Sequence, residues 1–127
     1  MTLRIQQVID TVLRLLTSLY GLKSSARNFN NHLHSWLTSK QVGFTHSSED
    51  FGMYTCSVGK DRIVLLAYVD DLLSICSPEA MEKWKREMDK AKGGHWDLRD
   101  YGEPKVFLGC DIHRDLEAGT IHYSQHT

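Results

Sequence analysis

The chain has 127 residues, of which 41% are hydrophobic, and this size and composition fit one compact domain with a modest core. Its 15 basic and 16 acidic residues give a formal charge of -1, which argues against a protein that holds nucleic acid by bulk electrostatics. The amino-terminal residues lack the continuous apolar run of a signal peptide or a membrane span, so we expect an intracellular protein of the cytoplasm or nucleus, without membrane attachment.

The first third of the chain favours helices. Apolar residues recur at helical spacing over Ile5–Leu19, although the alternation in Leu3–Ile5 also fits a short strand. A second helix is predicted from Ser25 to about Lys40, and Ser24–Ser25 offers it an N-cap. Gly43 suits the left-handed turn that closes a helix.

The middle of the chain favours strands. Thr45–Asp50 is polar and predicts a loop, and Met53–Val58 is rich in strand-forming residues. The stretch Ile63–Cys76 contains two apolar runs, which predict two buried strands joined by a tight turn. Asp70 and Asp71 lie between the runs, at the tip of this hairpin.

The two adjacent carboxylates allow two interpretations. Burial of an ionised carboxylate is costly unless a cation or hydrogen-bond donors compensate it. Asp70 and Asp71 are therefore either exposed turn residues, a common place for Asp, or ligands for a hard metal such as magnesium. These residues by themselves leave both alternatives open.

The second half begins with a strong helix signal. Ser77 is a good N-cap, Pro78 suits the first helical position, and the helical pattern continues to Gly93–Gly94. Three further strands are predicted, at His95–Leu98, Val106–Ile112 and Thr120–Ser124. This order of elements predicts an α+β fold in which two helices pack on one face of an antiparallel sheet.

The cysteines indicate free thiols. Cys56, Cys76 and Cys110 are an odd number in strand-like contexts, which does not suit a disulfide framework. Cys110 and His113 form a loose Cys-x-x-His pair, which is more typical of a buried thiol beside an exposed imidazole than of a zinc site.

Six short motifs extend along most of the chain, from about Val12 to the C-terminus: Ser18–Lys23, Arg27–Asn30, Gly43–Phe44, Asp50 with Tyr54, Tyr68–Asp71, and Tyr101–Glu103 with Phe107–Gly109. In this order and at this spacing they resemble the palm of the Ty1/copia-type retrotransposon reverse transcriptase. The resemblance implies a partial, ferredoxin-like palm. It implies a single domain over residues 1–127, with residues 1–17 as a candidate non-family segment.

The resemblance also implies a chemistry, two-metal phosphoryl transfer with magnesium or manganese. Asp70 would be the principal metal ligand and catalytic residue, and Asp71 the weaker one. Family-implied nucleotide-binding residues are Tyr20, Gly21, Lys23 and Tyr68. Because two Asp on one turn cannot bridge two ions about 3.5–4 Å apart, a further carboxylate must come from another strand.

Several departures from the family pattern bear on activity. The family's other aspartate lies upstream of Ser18–Lys23, where the sole acid here, Asp10, sits in a helix-like pattern without the following aromatic residue. Ser24 and Ala26 replace the Gln and Pro that are usual in the family. The fingers would lie before residue 1, and the thumb and ribonuclease H regions after Thr127.

We therefore expect a palm fragment that is inactive alone, needs no cofactor and acts as a protein-binding module, either domesticated or host-directed. The alternative is a residual magnesium-dependent polymerase or nuclease, completed by dimerisation or by the missing subdomains. Without its central strand the sheet would expose unpaired backbone beside the hairpin. This predicts a homodimer or segment-exchanged oligomer, or a protein partner, at that edge, with nucleic-acid binding weak or absent.

Overall fold

The computed structural model describes residues 21–90 and 93–125. The helices of this part of the chain are α1 (Ser25–Leu37) and α2 (Pro78–Met88). Its strands are β1 (Thr45–His46), β2 (Met53–Val58), β3 (Asp61–Tyr68), β4 (Asp71–Ile75), β5 (Val106–Phe107), β6 (Cys110–Asp115) and β7 (Thr120–Gln125). The helix predicted over Ile5–Leu19 and its alternative, a strand at Leu3–Ile5, lie outside the described residues. Neither α1 nor α2 is long and apolar enough to cross a membrane.

The strands form two antiparallel sheets. The first has the order β1-β2-β3-β4 and the second has the order β5-β6-β7. The α+β class is confirmed, but the prediction of one sheet is wrong. The reason lies after α2, where His95–Leu98 forms no strand and contributes only an isolated bridge between Asp89 and Trp96. The chain therefore leaves the first sheet before β5 begins.

Both helices pack on the same face of the first sheet, as predicted. Leu37 of α1 and Leu65 of β3 are fully buried in the core that the helices form with this sheet. The other buried core residues lie on α1, β2, β3 and α2 and in the segment between α1 and β1. They are Leu33, Phe44, Tyr54, Ile63, Ala80, Trp84 and Met88. Because burial of one such apolar side chain contributes about 1.5–3 kcal/mol, this cluster supplies most of the apolar stabilisation of the described residues.

The start of α2 follows the prediction, and its end does not. The Ser77 hydroxyl accepts a hydrogen bond from the Ala80 backbone N–H at 3.3 Å and donates one to the Asp61 carboxylate at 2.7 Å. The helix ends at Met88 rather than at Gly93–Gly94. There the Met88 carbonyl accepts hydrogen bonds from the backbone N–H groups of residues 95 and 96, which turns the chain back over the helix end.

The segment around α1 also differs from the prediction in one respect. Gly43 has a φ of 79°, the left-handed conformation expected of it, and α1 itself ends at Leu37. Thr45–His46, predicted as loop, pairs with β2 through Thr45 opposite Thr55 and His46 opposite Tyr54. The polar composition concealed this short edge strand, because only its backbone is needed for pairing.

The strand predicted at Val106–Ile112 is wrong, because a tight turn divides it into β5 and β6. Leu108 and Gly109 both have positive φ, at 52° and 74°, which is the conformation of a two-residue hairpin turn. The strand predicted at Thr120–Ser124 is confirmed as β7, which pairs with β6 along its whole length.

The N-caps of the two helices provide a matched test. The Ser77→Ala variant should lower the free energy of unfolding by about 1 kcal/mol, because it removes a capping hydrogen bond from α2. Ser24 occupies the same position in α1, but its side chain makes no capping hydrogen bond. Ser24→Ala should therefore leave stability unchanged in urea unfolding. Equal losses in the two variants would contradict this account of the caps.

Candidate functional site

The β3–β4 hairpin carries the acidic candidates at one end. Tyr68 is the last residue of β3 and pairs with Asp71, the first residue of β4. Val69 and Asp70 form the turn between them. We call these four residues the hairpin tip, and the side chains of all four are exposed.

The two strands of the hairpin differ in burial. In β3, Ile63 and Leu65 are buried against the helices. In β4 no residue is buried, and Ile75 is 55% exposed. The prediction of two buried strands is therefore wrong for β4. Among the described residues β4 is the last strand of its sheet, with a neighbour on one side only.

The turn at the hairpin tip has an unusual backbone. Val69 has a φ of 51°, a value that glycine adopts readily and a β-branched residue rarely does. Holding a non-glycine residue there costs on the order of 1–3 kcal/mol, which the pairing of β3 with β4 must offset. The tip therefore has a defined shape that depends on the hairpin below it.

A short loop braces the end of β3 next to the tip. The Ala67 backbone N–H donates to the Gly52 carbonyl at 2.7 Å, and the Gly52 N–H donates to the Asp50 carboxylate at 2.8 Å. A Cβ atom at Gly52 would lie 2.7 Å from the Ala67 carbonyl oxygen. Glycine is required here because the two backbones approach so closely.

The two carboxylates of the hairpin tip provide part of a metal site. Asp70 and Asp71 are exposed and offer oxygen atoms, the ligands that magnesium prefers. Across residues 21–90 and 93–125, however, no three His, Cys, Asp or Glu side chains are grouped so that they could hold a metal ion. The described residues therefore supply two carboxylates of a metal centre and no third ligand beside them. Asp10, the upstream candidate, lies outside the described residues.

The predicted nucleotide-binding residues fall on separate elements. Gly21, with a φ of 89°, and Lys23 lie exposed in the turn before α1, whereas Tyr68 lies at the hairpin tip. Within the described part of the chain, no hydrogen bond or ion pair joins Lys23 to the tip. Tyr20 lies outside the described residues. The structure therefore brings together Tyr68, Asp70 and Asp71 of the predicted site.

The three thiols are free and half-buried, as the odd number of cysteines predicted. Burial is the main cause that raises the pKa of Cys56 and of Cys76 above the usual value. Nearby carboxylates, Glu87 for Cys56 and Asp61 for Cys76, raise the pKa further. The raised pKa favours the protonated form of both thiols.

Contacts among histidines and aromatic residues were missed from the sequence. The His34 Nδ1 atom lies 3.1 Å from the Tyr54 hydroxyl, whose pKa is raised by burial, and His46 packs on the same tyrosine at 4.9 Å. The Nε2 atoms of His32 and His95 lie 3.3 Å apart. No pattern within one element could have suggested these groupings, because the partners lie on different elements.

The structure gives an α+β chain with adjacent aspartates at an exposed hairpin tip. Comparison with known families identifies the class of protein. The family model described as reverse transcriptase (RNA-dependent DNA polymerase) matches residues 2–127. The chain belongs to this family and is a copia-type reverse-transcriptase sequence. The boundary proposed at residue 17 stays a prediction.

Curated relatives come from transposons. The chain is 33% identical over 106 residues to the putative transposon Ty5-1 protein of Saccharomyces cerevisiae, covering 83% of this chain and 32% of that protein. It is 29% identical over 116 residues to the retrovirus-related Pol polyprotein from transposon RE2 of Arabidopsis thaliana, covering 91% of this chain and 8% of the polyprotein. The chain thus spans a minor part of these relatives. No solved structure matches it.

Backbone strain at the hairpin tip can be measured by one substitution at two sites. Val69→Gly should raise the free energy of unfolding by about 1 kcal/mol, because relief of the strained φ outweighs the entropy that glycine loses on folding. Val106→Gly, at an exposed strand position without positive φ, should lower it by about 0.5–1 kcal/mol. If both variants lose stability equally in urea unfolding, Val69 stores no strain.

Proposed function

We propose that this chain is a catalytically incomplete reverse-transcriptase palm of ferredoxin-like type, which is inactive as a polymerase on its own and works by binding another polypeptide. The observation that carries the proposal is the pair of exposed carboxylates at the hairpin tip, Asp70 and Asp71, with no third ligand grouped beside them in the described residues.

The chemistry of the family explains why a pair of carboxylates is insufficient. Paired magnesium or manganese ions, when bound, activate the attacking hydroxyl and stabilise the leaving group in phosphoryl transfer. Two ions about 3.5–4 Å apart need carboxylates that face each other from separate segments. Asp70 and Asp71 are consecutive residues of one hairpin tip, so they can offer oxygen ligands from one side only. In such a centre, this chain would hold the carboxylate oxygens of Asp70 and Asp71 at the hairpin tip.

The proposed partner is a second copy of this chain, bound along β4. Among the described residues β4 has a strand neighbour on one side only, which leaves backbone groups of its other edge for pairing. The edge also presents apolar surface, because Ile75 of β4 is more than half exposed, as is Tyr68 at the adjacent end of β3. An exposed apolar strand edge favours pairing with another strand, as a homodimer or through an exchanged segment.

The exposure of both carboxylates at the tip supports a second candidate function. In that alternative the chain is a residual magnesium-dependent RNA-directed DNA polymerase or nuclease, completed by dimerisation or by further subdomains. The sequence Tyr68-Val69-Asp70-Asp71 is intact in the described hairpin, and its turn gives nucleic acid and metal free access.

Primer extension distinguishes the two functions. With magnesium or manganese and a primed RNA template, the wild-type chain should give no more extension than the Asp70→Asn variant, because the described residues offer a metal centre only the two carboxylates of the hairpin tip. Asp97→Asn, at an exposed carboxylate remote in sequence from the hairpin, is the matched control. Extension that Asp70→Asn abolishes and Asp97→Asn retains would overturn the proposal and establish the alternative.

The mass of the protein in solution tests the partner. Light scattering should give twice the mass of one chain. Ile75→Lys should weaken the dimer about tenfold or more, since a charge in the β4 edge disfavours strand pairing. Ile121→Lys places the same charge on an exposed position of β7, the last strand of the other sheet, and should leave the dimer intact. A wild-type mass equal to one chain would rule out the homodimer.

A further inference from the structure

Two histidines that are far apart in sequence meet at the surface. His32 lies on α1, and His95 lies in the segment that follows α2. Their Nε2 atoms are 3.3 Å apart, and the rings are nearly perpendicular, with centroids separated by 5.4 Å. Both side chains are exposed, so the pair is accessible from solvent.

Aromatic side chains hold the two rings in place. Trp36 stacks on His95 with an interplanar angle of 12° and a centroid distance of 5.7 Å. Trp96 packs against His32 at 4.8 Å and meets Phe29 edge-on at 5.6 Å. These contacts fix the orientation of both imidazoles before any ligand arrives, which lowers the entropic cost of binding.

The backbone under His95 is fixed as well. The backbone N–H groups of His95 and Trp96 both donate to the Met88 carbonyl, at 3.0 and 2.8 Å. The Lys90 N–H donates to the Trp96 carbonyl at 2.7 Å. His95 is therefore tied to the end of α2, and its position relative to His32 does not depend on a long loop.

The distance between the two nitrogens suits a shared metal ion. At a zinc–nitrogen distance of about 2.0–2.1 Å and a tetrahedral angle, two imidazole nitrogens on one ion lie about 3.3–3.4 Å apart. Neutral imidazole has one N–H and one lone pair, so a direct hydrogen bond uses the Nε2 proton of one ring. When that ring carries its proton on Nδ1 instead, both Nε2 lone pairs are available to a cation.

We propose that His32 and His95 form a surface site for a divalent transition-metal ion, zinc or copper, with solvent completing the coordination. Imidazole nitrogen favours these ions, whereas the carboxylate oxygens of the hairpin tip favour magnesium. The site is independent of the proposed palm chemistry. It has two protein ligands, since the described residues contain no larger group of ligating side chains.

Other histidine pairs are less suitable. His34 Nδ1 is engaged with the Tyr54 hydroxyl, and His46 Nε2 lies 2.9 Å from the Phe51 carbonyl oxygen. The cross-strand pair of His113 and His122 has ring centroids 6.4 Å apart, farther than the 5.4 Å of His32 and His95. His113 is a matched control, because it is also an exposed histidine that faces another histidine but at a greater ring distance.

Calorimetric titration of the full chain with zinc chloride tests the site. The wild type should bind one zinc ion per chain through this pair. His32→Gln and His95→Gln should each weaken binding about tenfold or more, since even an outer partner of a metal site is worth about 10–100-fold. His113→Gln should retain the wild-type affinity, and magnesium chloride should give no binding at this pair. Equal zinc affinity in the wild type and in folded His95→Gln would overturn the proposal.

Nitrogen NMR of the imidazole rings provides a measurement that needs no variant. Zinc should shift the Nε2 signals of His32 and His95 together, at one equivalent, and leave those of His113 and His122 in place. Zinc shifts confined to other histidines would also overturn the proposal.

Discussion

The packing of Trp84 is the contact on which the arrangement of helices and hairpin depends. Its indole ring is buried and packs against Phe44 at 4.9 Å and Trp36 at 5.9 Å, which joins α2 to the exit of α1. Its Nε1–H donates to the Ser74 hydroxyl of β4 at 3.1 Å. One side chain thus fixes both helices against β4, and loss of such a buried ring costs about 3–5 kcal/mol.

This support reaches the hairpin from one face only. The helices hold β3 through the buried Ile63 and Leu65, whereas β4 is held by its ladder with β3, by the Ser74 contact and by the partly buried Leu72. A hairpin built in this way can keep its shape without any metal at its tip. A copia-type sequence can therefore retain the fold around Asp70 and Asp71 independently of whether a facing carboxylate completes the chemistry.

The features that could be predicted from sequence are those with local causes. The Ser77 cap followed by Pro78 marks the start of α2, and the acidic pair between two apolar runs marks the hairpin turn. The family was recognisable because several motifs keep their order and spacing. Of the site, the sequence identified the tip but not its brace at Gly52, whose need for glycine comes from the nearby Ala67 carbonyl.

The failures have long-range or conformational causes. The apolar run through Leu108 concealed a turn, because leucine rarely adopts a positive φ and gives no turn signal. The early end of α2 depends on hydrogen bonds that return to Met88 from His95 and Trp96. The meeting of His32 with His95 depends on the same return of the chain. Periodicity describes single elements, so it could not predict these contacts between elements.

The second sheet has a consequence for the dynamics of the chain. No residue of β5, β6 or β7 belongs to the buried core, and every residue of β7 is exposed. Its strands are therefore held by backbone hydrogen bonds and cross-strand pairs, with little apolar burial behind them. Regions of this kind open locally at a lower free energy than the core. Amide protons of β6 and β7 should accordingly exchange with solvent by sub-global opening, while those of β3 exchange only when the whole domain unfolds.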